Sequence, residues 1–87
     1  LLRLFASPRI VKRRAIRPIL QQFPQRKFVF VGDSGQRDPE IYGYLARKFP
    51  QQVAGIFIRN VTKDTANGKR WQKAFRGIAP ELWRLFD

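Results

Sequence analysis

The sequence predicts an α/β fold: a βαβ unit with parallel strands and flanking helices. Three observations predict it. Two short, continuous apolar runs, Phe28–Val31 and Val53–Ile58, have the length and the branched and aromatic content of strands buried on both faces. Between them lies a stretch opened by Pro39 and closed by Pro50, with apolar residues at helical spacing. Strand, helix and strand within about 30 residues make a parallel pair joined by a right-handed crossover.

The elements follow in order. Leu1 to Phe5 reads as the tail of a preceding apolar element. Ser7 and Pro8 suit an N-cap and a first-turn proline, and a helix over 8–23 follows. Val11, Ala15, Ile16, Ile19, Leu20 and Phe23 form its apolar face, with Lys12, Arg13, Arg14 and Arg17 around the rest. Pro18 should kink or split this helix, and Pro24 ends it. A strand over 27–32 then runs into Gly32 and an acidic loop. Asp33 opens that loop. Asp38 suits the N-cap of the next helix, with Pro39 at its first position.

The helix over 39–49 buries Ile41, Leu45 and either Tyr42 or Tyr44. The strand over 53–58 follows, and beyond Arg59 the chain turns polar from Thr62 to Gly68. A helical tail is expected over 69–86. Trp71 and Phe75 lie four apart in it, Gly77 breaks it, and Pro80 opens a last helical piece with Leu82, Trp83, Leu85 and Phe86. The two tryptophans have two readings, packing of this tail or insertion at a lipid interface. An 8–23 helix also implies an earlier strand, and two strands are too few for a doubly covered sheet. With Leu1 at the start and no Met, the expectation is that 1–87 is the C-terminal fragment of one domain.

Composition narrows the chemistry. Hydrophobic residues make up 44% of the chain, which predicts a folded core rather than disorder. The absence of Cys and His removes disulfides, thiolates and the usual general base, so any metal must be held by oxygen. That favours a hard cation such as magnesium. Eighteen Lys and Arg against six acids give a net charge of +12, and no acid precedes Asp33. Such a field attracts phosphate. The alternative is that compensating acids lie in sequence outside these residues. No apolar run approaches the ~20 residues that span a bilayer. Arg3 and Arg9 interrupt any resemblance to a signal peptide.

Asp33 and Asp38 therefore stand out. Two carboxylates at the carboxyl end of a buried strand suit one magnesium ion, which neutralises and orients a phosphate. The competing reading makes Asp38 only an N-cap and Asp33 a turn residue.

The string from Phe23 to Tyr42 includes Val31-Gly32-Asp33-Ser34-Gly35-Gln36-Arg37-Asp38-Pro39-Glu40-Ile41-Tyr42. With Val53–Arg59 after it, this string resembles the catalytic domain of the actin-patch-associated phosphatidate phosphatases. That family is similar to the haloacid-dehalogenase-like phosphatases, so the resemblance implies a Rossmann-like parallel sheet. It further implies hydrolysis of a phosphate monoester, phosphatidate to diacylglycerol, through an aspartyl-phosphate. Asp33 and Asp38 match acids that position Mg2+, one directly and one through water. Lys12 matches a lysine that pairs with nucleophile and phosphate, although Arg13 and Arg14 adjoin it and a solvated helix face is the plain alternative. Ser34 is either a loop residue or a hydroxyl near the phosphate. The family's Asp-x-Asp-x-Thr nucleophile motif is absent, since no acid precedes Asp33, so the chain alone is expected to be inactive.

Gly32-Asp33-Ser34-Gly35 also resembles the nucleophile loop of chymotrypsin-like proteases, but that chemistry needs a His base. The rival function is a non-enzymatic basic module that binds nucleic acid or anionic membrane by charge. Nucleic acid fits poorly, because no recognition motif stands at a fixed spacing and Phe28, Phe30 and Phe57 belong on apolar faces. The implied partner is phosphatidate or another phospholipid, with a cytoplasmic location and peripheral membrane contact.

Overall fold

The computed structural model describes residues 2–5, 12–65 and 68–87, with side chains described for 15–65 and 68–87. Four strands form one parallel sheet in the order β1-β2-β3-β4: β1 (Leu2–Phe5), β2 (Phe28–Asp33), β3 (Val53–Arg59) and β4 (Trp83–Phe86). Helices α1 (Lys12–Gln22), α2 (Asp38–Lys48) and α3 (Lys69–Ala74) connect them in turn, with a 3-10 turn at Pro80–Leu82. The expected βαβ unit is β2-α2-β3. The earlier strand implied by the first helix is β1, paired in parallel with β2 from Leu2 opposite Phe28 to Phe5 opposite Val31.

The expected cap Ser7-Pro8 and the apolar position Val11 lie outside the described residues. Pro18 does not split α1, which runs unbroken from Lys12 to Gln22 with Pro18 on its exposed side. A proline facing solvent loses one helical hydrogen bond but keeps its ring away from the core. The buried Gln52 side chain closes the helix, its Nε2 donating at 2.9 Å to the carbonyls of both Leu20 and Phe23. Leu20 is in the last turn of the helix, where carbonyls lack intrahelical partners, and the Phe23 carbonyl also accepts the Arg26 N–H at 3.0 Å.

One apolar core joins Ile16 and Leu20 of α1, Phe28 and Phe30 of β2, Tyr42 and Leu45 of α2, Ile56 and Ile58 of β3, and Trp71 of α3. Tyr42, rather than Tyr44, is the fully buried tyrosine of α2, and its ring stacks on Phe30 at 4.8 Å. Gly43 is obligatory in the same helix, since a Cβ there would stand 1.9 Å from the Ala74 carbonyl oxygen. The missing side chain lets α2 and α3 pack backbone to backbone.

Two expectations are overturned. Among the described residues, the helices form a single layer over one face of the sheet and leave the other uncovered. Ala54, Phe57 and Arg59 of β3 and Arg84 and Phe86 of β4 are exposed, while their neighbours point inward. The tail is not helical to its end: after α3 and the 3-10 turn, residues Trp83–Phe86 add the fourth strand. Four residues with inward Trp83 and Leu85 alternating with exposed Arg84 and Phe86 follow the period of a strand. Both tryptophans pack inward. Trp71 is fully buried, and Phe75 stacks on Trp71 and on Trp83 at 6.3 and 4.5 Å.

Candidate functional site

Parallel pairing brings the carboxyl ends of all four strands to one edge of the sheet. Asp33 is the last residue of β2, opposite Arg59 at the end of β3. Asp38 is the first residue of α2, four residues of turn later. The expected N-cap role of Asp38 is corrected. Arg37 holds that position without a side-chain bond, Pro39 is the second helical residue, and Oδ2 of Asp38 instead accepts the backbone N–H of Asp33 at 2.8 Å. The carboxylate thus folds back over the end of β2. Gly32 makes that possible, because a Cβ on residue 32 would lie 2.2 Å from Asp38 Oδ2.

Asp38 is 1% exposed, whereas Asp33 is partly open to solvent. Beneath them, the Tyr42 hydroxyl donates to the Val31 carbonyl at 3.1 Å. Burial first, then the charges of Asp38 and Asp33, push the Tyr42 phenol well above its ordinary value, so it stays a neutral donor.

Ser34 lies between these acids and the loop after β3. It is 2% exposed, and its Oγ accepts the Thr62 backbone N–H at 3.0 Å, meets the Thr62 hydroxyl at 2.8 Å and donates to Asn60 Oδ1 at 3.5 Å. Contact between this hydroxyl and a phosphate requires the Thr62 loop to release it. Asn60 in turn accepts the Asp64 N–H at 3.1 Å and donates to the Asp64 carbonyl at 2.6 Å. This Asn60-Thr62-Asp64 knot ties the loop after β3 to the loop after β2.

Lys12 is the first residue of α1, the helix that follows β1 in the chain. Its side chain, like those of Arg13 and Arg14, lies outside the described residues.

Arg70, on α3, does not figure in the sequence reading. Its Nε and Nη2 grip Glu40 Oε2 and Oε1 at 2.9 and 3.1 Å, while Nη1 and Nη2 donate to the carbonyls of Ser34 and Gln36 at 2.6 and 2.8 Å. One planar guanidinium therefore holds both the turn that carries the two aspartates and the first turn of α2. Burial works against the Glu40 charge, but the hydrogen bond and charge of Arg70 outweigh it and hold the carboxyl below its usual range. The only sequence signal was Glu40 within the acidic string; its partner is 30 residues away.

The oxygen donor set of Asp33 and Asp38 suits magnesium. That ion commonly takes one or two carboxylates and completes its shell with water and phosphate oxygens. Among the described residues, no group of three or more acidic, His or Cys side chains is placed to hold a metal. The partly open Asp33 carboxylate is the better placed of the two to touch an ion directly, and Asp38, already accepting the Asp33 N–H, suits an outer position.

Comparison with known proteins decides the family. The model of the phosphatidate phosphatase APP1 catalytic domain matches residues 1–60. The chain belongs to the APP1 catalytic domain family. The match runs from β1 through β3 and includes both aspartates, whereas Arg70 lies beyond it. Phosphatidate phosphatase APP1 of Saccharomyces cerevisiae is 48% identical over 48 residues, 55% of this chain and 8% of that protein. An uncharacterized protein of Schizosaccharomyces pombe is 34% identical over 71 residues, 82% of this chain and 12% of that protein. This APP1-family chain thus spans about a tenth of the length of the curated relatives it matches. No solved structure matches. No helix among the described residues is long and apolar enough to cross a membrane.

Proposed function

We propose that this chain supplies the metal-binding end of a phosphatase catalytic domain that hydrolyses a phosphate monoester, phosphatidate to diacylglycerol. The observation that carries the reading is the Asp33–Asp38 pair at the carboxyl edge of a parallel sheet, inside the segment matched by the APP1 catalytic domain. Asp33 and Asp38 would hold Mg2+, Asp33 directly and Asp38 from the outer shell. Magnesium bound there supplies positive charge that neutralises phosphate oxygens. Lys12, at the start of α1, would offset the charge between the phosphate and its attacking carboxylate. Ser34 would reach the phosphate only when Thr62 lets go of it. In an aspartyl-phosphate route, an attacking carboxylate displaces the alcohol oxygen from phosphorus and water then cleaves the acyl phosphate. No Asp or Glu precedes Asp33. On this reading the nucleophile and the acid–base carboxylate would come from polypeptide outside these residues, and residues 1–87 alone should release no phosphate. The substrate would be met at the cytoplasmic face of a membrane.

The test is phosphate release from phosphatidate by the full-length protein, with magnesium titrated. Asp33→Asn should abolish the magnesium-dependent rate while leaving the fold intact by circular dichroism. Full activity in that variant would sink the metal assignment. Binding of nucleic acid that is steeply salt-dependent and indifferent to Asp33→Asn, with no phosphate release by the parent, would favour the charge-only module instead.

A further inference from the structure

A cleft of about 530 Å³ runs along the outer surface between α2 and α3, lined by Arg37, Glu40, Arg47, Arg70, Lys73 and Arg76. Five of these six side chains are cations. The one carboxylate is already taken, because Glu40 is gripped on both oxygens by Arg70. Arg37, Arg47, Lys73 and Arg76 therefore face the cleft with no second carboxylate in its lining. Four like charges around one concavity repel one another and raise the local concentration of anions.

The charges are held in place. Arg47 Nη1 donates to the carbonyls of Ala74 and Arg76 at 2.9 and 3.1 Å, which anchors it at the far end of the cleft. Gly43 packs against the Ala74 carbonyl and fixes the distance between the two helices. Arg70, in the same lining, holds the carbonyls of Ser34 and Gln36, so one end of the cleft adjoins the turn between Asp33 and Asp38. From Arg37 to Arg47, at 1.5 Å per helical residue, the row of cations extends about 15 Å.

We propose that this cleft binds the phosphate head groups of anionic phospholipid and so docks the candidate site against a membrane surface. Phosphate binding rests on the charges of the cleft itself, while the choice of a lipid source rests on the proposed phosphatidate reaction. A row about 15 Å long on an open outer surface spans more than one phosphate, which favours a plane of head groups over a single small ester.

The experiment uses the full-length protein with vesicles of phosphatidylcholine, alone or mixed with phosphatidylserine. The variant is Lys73→Ala with Arg76→Ala. Both side chains are exposed, and Arg47 contacts only the backbone of Arg76, so the fold should persist by circular dichroism. Binding to the mixed vesicles should fall about 25-fold in the double variant, from roughly fivefold for each cation near an anionic surface. Hydrolysis of a water-soluble phosphate ester should be unchanged. Undiminished vesicle binding by the double variant overturns the proposal, as does equal parental binding to pure phosphatidylcholine. If inorganic pyrophosphate binds in a Lys73- and Arg76-dependent way while the mixed vesicles do not, the source is soluble phosphate and the lipid assignment fails. Duplex DNA bound through the same two residues in place of vesicles also overturns it. Asp33→Asn separates the two readings: it should bind vesicles like the parent while losing phosphate release. Retained release with Lys73- and Arg76-dependent vesicle binding would end the metal assignment and leave the cleft standing.

Discussion

The Asp38 carboxylate accepts the backbone N–H of Asp33, 2.8 Å away, and the two residues close the four-residue turn 34–37 at the end of β2. That bond makes Asp38 a part of the Asp33 backbone geometry, so the direction of the Asp33 side chain depends on a residue in the next element. Gly32 beneath them is the permissive position.

Gly32→Ala should therefore disturb the site more than its size implies. The new Cβ would stand 2.2 Å from Asp38 Oδ2 and 2.7 Å from Asp38 Cβ, so the aspartate must leave its place or β2 must move. Overpacking of this kind costs about 1–3 kcal/mol. Denaturant unfolding should show that loss, and magnesium-dependent phosphate release should drop further than stability alone accounts for. A variant with parental stability and parental magnesium dependence would show that the turn is dispensable.

Arg70→Ala should loosen the same turn from the other side, by freeing the carbonyls of Ser34 and Gln36. Outer residues that orient metal ligands typically change metal affinity or activity 10- to 100-fold, so the magnesium concentration needed for half-maximal rate should rise by about that factor. Arg70→Lys should recover little, because an ammonium cannot match the bidentate fork on Glu40. An unchanged magnesium requirement in Arg70→Ala would deny Arg70 a positioning role.

The Glu40 partnership has a pH signature. Its folded value lies below the ordinary carboxylate range, so its contribution is fully present above that range and is lost as pH falls through the lowered value. Glu40→Gln should accordingly cost more stability near neutrality than in acid, with the two unfolding curves converging as pH drops. Curves that stay parallel across the acid range would mean that the ion pair contributes nothing. Because the pair is partly exposed, the difference should shrink with added salt.

Gln52→Ala tests the packing of α1. It removes the side-chain donor to the buried Leu20 carbonyl, while the Phe23 carbonyl keeps the Arg26 N–H, and losing such a buried partner costs about 1–3 kcal/mol. Gln52 sits at the opposite end of β3 from Arg59, so phosphate release at a permissive temperature should keep its magnesium dependence. A change in that dependence would tie α1, and Lys12 with it, to the site more tightly than the geometry implies.

Much of this architecture is local and was legible in the chain. The apolar runs from Phe28 and Val53 name their strands, the prolines at 39 and 50 bracket α2, and the acidic string marks the candidate site before any coordinates are known. Short-range signals of this kind depend on period and on backbone chemistry, which a sequence displays directly. The Asp38 cap was misread because its side chain could bond forward to its own helix or back to Asp33. Only the Gly32 gap decides between them. The second face of the sheet was misread as covered, since a continuous apolar run does not tell how many layers pack on it. Leu2–Phe5 and Trp83–Phe86 were hidden as strands because four residues carry too little period, and each becomes a strand only when a parallel neighbour takes up its backbone hydrogen bonds. The sequence by itself determined the α/β class, the order of its central elements and the two aspartates. The tertiary structure alone decided that Arg70, from a helix 30 residues beyond Glu40, holds their turn, because pairing across that distance is set by packing and leaves no local trace.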